Sequence, residues 1–243
     1  MQTEQELRVQ LAAMYRIFDH LGWSEMIYNH ITVKIPGDEE HFLINPYGLH
    51  YSEVKASNLV KVDIKGNVVE DSAYKANPAG MVIHSAIHAH REDAHCITHI
   101  HTTDGMAVAC QEGGLRHDNF YSVLLYNQVA YHDFEGLTVN MDEQQRMVAS
   151  LGDKPQLILR NHGLLSIGRS IPEAFINTWV LQRACEVQVA TDSTGRANIP
   201  IAEEIGKKSE ELLKIQMSGM NPGELEFAAF VRKIDAIDPS YKD

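Results

Sequence analysis

The chain has 243 residues, 44% of them hydrophobic, which fits one large domain with a well-filled core. Its formal charge of -12, from 33 acidic against 21 basic residues, repels phosphate backbones and anionic bilayers, and this excludes nucleic acid and membrane surfaces as partners. No apolar run is long enough to cross a bilayer, and the start "MQTEQELRVQ" lacks both parts of a secretory signal. Three scattered cysteines (Cys96, Cys110, Cys185) suit reduced thiols, so a cytoplasmic location is expected.

In chain order, Leu7, Leu11, Tyr15, Phe18 and Leu21 recur at helical spacing and stop at Gly22, predicting an amphipathic helix. "YNHITVKIPG" and "HFLINPYG" read as short strands closed by Pro/Gly turns, and "LVKVDIKGNVVE" alternates Val60, Val62 and Ile64 around a Gly-Asn turn. "AGMVIHSAIHAHRED" has a helical pattern, with His88 and His90 expected in solvent beside Arg91, Glu92 and Asp93. "CITHIH" reads as a strand, "YSVLLYNQVAYHDF" as strand-rich, and "MDEQQRMVASLG" as a helix ended by glycine. "QLILRNHGLLSIG" predicts two strands joined at Asn161-His162-Gly163. A long helix over "SIPEAFINTWVLQRACEVQVAT" follows, with Ser170 and Glu173 placed as a capping box and Pro172 in its first turn. The first linker-like stretch, "TDSTGRANIP", divides a body of residues 1–195 from a helical tail of residues 196–243, expected to pack on the same domain or on a neighbouring subunit. Interleaved strands and helices of this kind predict a layered α/β fold with a mostly antiparallel sheet.

Histidine is in surplus, with 13 copies, and "HCITHIHTTD" holds three of them. Side chains alternate along a strand, so His99 and His101 share a face, roughly 7 Å apart at Cα, and can converge on one ion. An H-x-H also arises by chance. His162, in a tight "NHG" turn at a strand end, offers a third imidazole, and three neutral nitrogens leave a coordination position open, as catalytic metal sites do.

Taken together, "GWSEMIYNHITVKIPG", "INPYGLHYSEV", "CITHIHTT", "QVAYHDFEG" and "LILRNHGLLSIGRSIPEAF" resemble the class II aldolase/adducin family, most closely its adducin-like branch. The resemblance implies a three-layer α/β/α domain with a central, mostly antiparallel sheet, commonly a homotetramer with active sites at subunit interfaces. It also implies a divalent metal on His99, His101 and His162, with zinc favoured and iron, manganese or cobalt as alternatives. Such an ion keeps its Lewis acidity and stabilises the enediolate left when a C–C bond beside a carbonyl breaks.

Family aldolases carry an acid/base glutamate four residues before the histidine that matches His84. That position here is Gly80, which transfers no proton, and the accompanying phosphate-binding serines are Pro78 and Ala79. A phosphorylated ketose is therefore not the expected substrate. The resemblance places Tyr131 where a tyrosine reaches a neighbour's leaving aldehyde, and His84 where a base or fourth ligand could stand. Asn29, His30, Thr32, Asn45 and Gly48 fall on the family's substrate-binding turns, although asparagine and glycine are also ordinary turn residues.

The expectation is a metal-dependent lyase, aldolase-like or decarboxylating, acting on a small hydroxy, oxo or aromatic acid. The alternatives are a mononuclear Fe(II) oxygenase on the same scaffold and a non-enzymatic module like the adducin heads. Adducins reach the membrane skeleton through a lysine-rich extension, whereas this sequence closes on "EFAAFVRKIDAIDPSYKD", so the lyase is favoured.

Overall fold

A capping box opens the chain. In the computed structural model, which describes residues 2–136 and 142–243, Thr3 Oγ1 accepts the Glu6 N–H at 3.2 Å while the Glu6 carboxylate accepts the Thr3 N–H at 2.8 Å. Two amides at the helix start are thereby satisfied. Helix α1 (Glu4–His20) buries Leu7, Leu11, Tyr15 and Phe18, and Gly22 leaves it at φ 73°.

Seven strands form one sheet: β1 (His30–Ile35), β2 (Asp38–Ile44), β3 (Val60–Asp63), β4 (Cys96–Ile100), β5 (Val129–His132), β6 (Gln156–Leu159) and β7 (Gly163–Gly168). Their order is β3-β2-β1-β4-β7-β6-β5, and every neighbouring pair is antiparallel except β5 with β6. Strand alternation divides the core in two. Ile31, Val33, Cys96, Ile100 and Leu164 join the core of α1, α3 (Thr103–Ala109) and α6 (Ile171–Asp192) on one face. Ile97, Leu157, Leu165 and Ile167 meet α2 (Pro78–His90) and α5 (Glu143–Leu151) on the other. The result is the expected three-layer α/β/α domain.

Three local expectations are corrected. "YSVLLYNQVAYHDF" is strand only in its second half: Asn119 Oδ1 accepts the Tyr121 and Ser122 N–H groups and caps a short helix, α4 (Phe120–Leu124). At α6 the capping box is half formed. Ser170 accepts the Glu173 N–H, but the Glu173 carboxylate turns to the Arg169 N–H at 2.9 Å. His88 is buried, at 2% exposure, because it lies on the inner face of α2, while His90 is exposed as expected. Met141, the first residue of the helix expected before Gly152, lies outside the described residues.

Beyond residue 195, α7 (Glu203–Met217) lies against α4, and α8 (Glu224–Ile237) packs on α1 and α6. Phe227 and Ile234 of α8 are buried within the same core as Phe18 and Phe175.

Candidate metal centre

The pairing of β1 with β4 sets His30 directly opposite His99, and both face the α2 side of the sheet. His101 follows the end of β4. His162 is carried by the β6–β7 turn, where Asn161 takes φ 57°, a left-handed conformation that asparagine tolerates. Gly163 then passes close to β4: a Cβ there would lie 2.6 Å from the Ile100 carbonyl oxygen and 2.9 Å from the His101 ring. Only glycine allows this approach, and the approach seats His162 beside His99 and His101.

The three Nε2 atoms form a triangle, with His99 to His101 at 2.7 Å, His101 to His162 at 3.0 Å and His99 to His162 at 3.3 Å. His99 Nδ1 lies 2.9 Å from the Leu164 carbonyl oxygen, which only accepts, so Nδ1 carries the hydrogen and Nε2 turns a lone pair to the centre. Burial holds the His99 imidazole well below its ordinary pKa, reinforced by the charges His101 and His162 would carry. Burial, then His162, pushes His101 down to about 4, and burial alone lowers His162. Three neutral imidazoles aimed at one point lack enough hydrogens to bridge each other fully. Nitrogens about 2.0–2.1 Å from a tetrahedral zinc stand roughly 3.3 Å apart, so a divalent ion fits the triangle. Among the described residues this is the cluster of histidine, cysteine or carboxylate groups able to hold a metal.

A cavity of about 650 Å³ opens on the triangle. Tyr28, Tyr47 and Phe134 line it, 48%, 42% and 53% exposed, and no lysine or arginine is among its described lining residues. Glu25 is the one carboxylate among its described lining residues. Sequence reasoning missed these side chains, although Tyr47 lies inside the quoted "INPYG" and Tyr28 inside "IYNHI".

Of the other residues singled out from the sequence, His30 lines the cavity and the rest lie behind it or away from it. His84 is fully buried, with Nε2 3.1 Å from His30 Nδ1 and Nδ1 2.7 Å from Thr32 Oγ1. Burial, then the neighbouring His30 and His88, lowers its pKa well below the ordinary value. Asn29 donates to the Trp23 carbonyl at 2.7 Å, and Asn45 Oδ1 accepts from Tyr15 at 3.0 Å. Gly48 takes φ 100° in the turn after β2. The Tyr131 oxygen accepts the Leu115 N–H at 3.0 Å and Arg160 lies over its ring, so within its own chain it pins the turn at Gly114.

The family described as Class II Aldolase and Adducin N-terminal domain matches residues 9–189. The chain belongs to the class II aldolase and adducin family. Among its members, a Caulobacter vibrioides protein whose name refers to aldolase class 2 is 45% identical over 243 residues, covering 100% of this chain and 94% of its own. An aldolase II superfamily protein from Pseudomonas syringae superposes with a TM-score of 0.93 at 42% identity, covering 100% of this chain and 97% of that one. Rat alpha-adducin is 44% identical across 96% of this chain, which spans only 33% of the adducin. On this family fold, a histidine triad fit for a divalent ion makes the protein an enzyme of metal-dependent lyase type.

Proposed function

We propose that the protein is a divalent-metal lyase, with zinc on His99, His101 and His162, that breaks a C–C bond of a small hydroxy, oxo or aromatic acid. One observation carries this reading: three neutral imidazole nitrogens within 3.3 Å of one another at the floor of a cavity. An ion held there supplies Lewis acidity toward a carbonyl or hydroxyl oxygen. The chain itself supplies orientation and apolar walls. Leu164 fixes the His99 ring, Gly163 lets His162 approach, and Tyr28, Tyr47 and Phe134 offer flat apolar walls that suit a planar acid.

A sugar phosphate is disfavoured because its dianion would meet no lysine or arginine among the described lining residues. An L-fuculose 1-phosphate aldolase from Glaciozyma antarctica has the same fold, with a TM-score of 0.86, but only 28% identity. The 44% identity to alpha-adducin supports placement in the adducin-like branch. We further infer a cytoplasmic homotetramer, with residues 1–195 as its body and 196–243 as its tail.

Metal analysis of the purified protein, then turnover of hydroxy, oxo and aromatic acids with the metal found, tests the proposal. About one zinc per chain, lost in His99→Ala and His162→Ala, is the expected result. Crystals grown with zinc that show no anomalous peak among the three rings would refute it.

A further inference from the structure

Behind the metal triangle, a line of buried polar groups runs from the cavity to the far end of α2. His30 Nδ1 stands 3.1 Å from His84 Nε2, and His84 Nδ1 stands 2.7 Å from Thr32 Oγ1. Thr32 Oγ1 stands 2.7 Å from His88 Nε2, and His88 Nδ1 stands 2.7 Å from the Ala94 carbonyl oxygen. All four side chains are at least 98% buried, and desolvation keeps the three imidazoles neutral.

The hydrogens in this line have one arrangement. A peptide carbonyl only accepts, so His88 Nδ1 carries a hydrogen and its Nε2 a lone pair. Thr32 must give its single hydroxyl hydrogen to that lone pair. Having none left, it accepts from His84 Nδ1, so His84 Nε2 is bare and accepts from His30 Nδ1. His30 Nε2 therefore carries no hydrogen. His30 lines the cavity, its ring centroid is 5.1 Å from that of His99, and no hydrogen bond to its Nε2 is found among the described residues. The line cannot conduct a proton outward, because it ends on a carbonyl. What it can do is hold a tautomer. Gly80 completes the seat: a Cβ there would lie 2.9 Å from the His30 Cγ, so the ring rests on bare backbone.

We propose that His84, Thr32 and His88 act as a tautomer lock on His30, fixing a bare Nε2 toward the cavity so that the site selects ligands presenting a hydroxyl hydrogen beside the metal triangle. A keto, ether or ester oxygen at that point would set lone pair against lone pair. His30 is the group that touches the ligand, and the other three are positioning residues. The choice of a hydroxy acid as ligand rests on the lyase reading; the lock itself does not.

Long-range proton–nitrogen NMR on histidine-labelled, metal-free protein reads the tautomers directly. His30, His84 and His88 are expected as pure Nδ1–H forms, retained in Thr32→Ser. In Thr32→Val, His84 and His30 become tautomeric mixtures while His88 stays fixed by Ala94. A hydrogen on His30 Nε2 in the unmutated protein overturns the proposal, whatever becomes of the variants. On zinc-loaded protein, glycolate should bind about five- to tenfold more tightly than methoxyacetate, the worth of one hydrogen bond against an unpaired acceptor. That ratio should persist in Thr32→Ser and collapse in Thr32→Val at unchanged zinc content. A ratio of one in the unmutated protein, or one that Thr32→Val preserves, overturns selection by the lock. Protein that shows the predicted tautomers but retains no zinc would support the lock and refute the lyase reading.

Discussion

Lowering the pH should destabilise the metal-free protein steeply, well before its carboxylates protonate. Burial pushes both His30 and His88 down from the ordinary 6.5 to about 3. Both groups therefore stay neutral in the folded chain at pH 5, while their unfolded counterparts have taken up protons. The unfolded state binds more protons below pH 6.5, so stability is fully present above that value and falls as pH drops toward 3. At pH 5 the cost per histidine depends only on the distance to 6.5 and is about 2 kcal/mol; the two together cost about 4 kcal/mol. The slope is about 2.7 kcal/mol per pH unit, and His84, shifted in the same direction, steepens it. Against a typical net stability of about 5–15 kcal/mol, that loss brings a small domain close to unfolding. Urea unfolding at pH 7.5, 6.0 and 5.0 with chelator present measures it, and His88→Gln should reduce the slope by about 1.4 kcal/mol per pH unit. Stability at pH 5 within about 1 kcal/mol of that at pH 7.5 would refute the burial argument.

Gly80→Ala should lower stability by about 1–3 kcal/mol in thermal or urea unfolding, because its Cβ lands 2.9 Å from the His30 ring and the ring has no slack against His84. Tyr131→Phe should lose about 1 kcal/mol, the Leu115 N–H losing its acceptor; if a neighbouring subunit also uses the phenol, turnover falls by about two to four powers of ten at constant metal content. Cleavage of fuculose 1-phosphate or ribulose 5-phosphate should stay far below roughly 1 s⁻¹ in a coupled assay, and a rate above that would show that the cavity needs no cation to hold a phosphate.

The fold was legible because its signals are local. Alternating Val60 and Val62, the left-handed Asn161 before Gly163, and Gly152 after α5 each fix an element end by backbone chemistry that reads directly from residue type. The metal triangle was legible for a similar reason, since His99 and His101 are two positions apart and His162 sits in a turn that only a few residue types can make. The cavity walls were not. Tyr28, Tyr47 and Phe134 come from separate loops, and nothing in an isolated aromatic residue tells whether the sheet will bring it to a strand end. His88 was misplaced because Arg91, Glu92 and Asp93 belong to the exposed segment after α2 ends at His90, whereas His88 is still inside the helix and on its buried face.

Pairing of β1 with β4 ties the two halves of the site together. His30 opposes His99 and Thr32 opposes Ile97, so one strand register sets both the distance of the locked imidazole from the metal triangle and the position of the hydroxyl that locks it. A slip of one residue would turn His30 and Thr32 into the α1 layer and carry Ile31 and Val33 into the polar line under α2. Such a slip is opposed from both sides. Ile31, Val33 and Ile35 would leave the main apolar core, and His84 and His88 would lose every side-chain hydrogen-bond partner they have. The buried histidines, costly to desolvate one at a time, are paired only in the correct register. They therefore act against misregistration of the strand pair that builds the site.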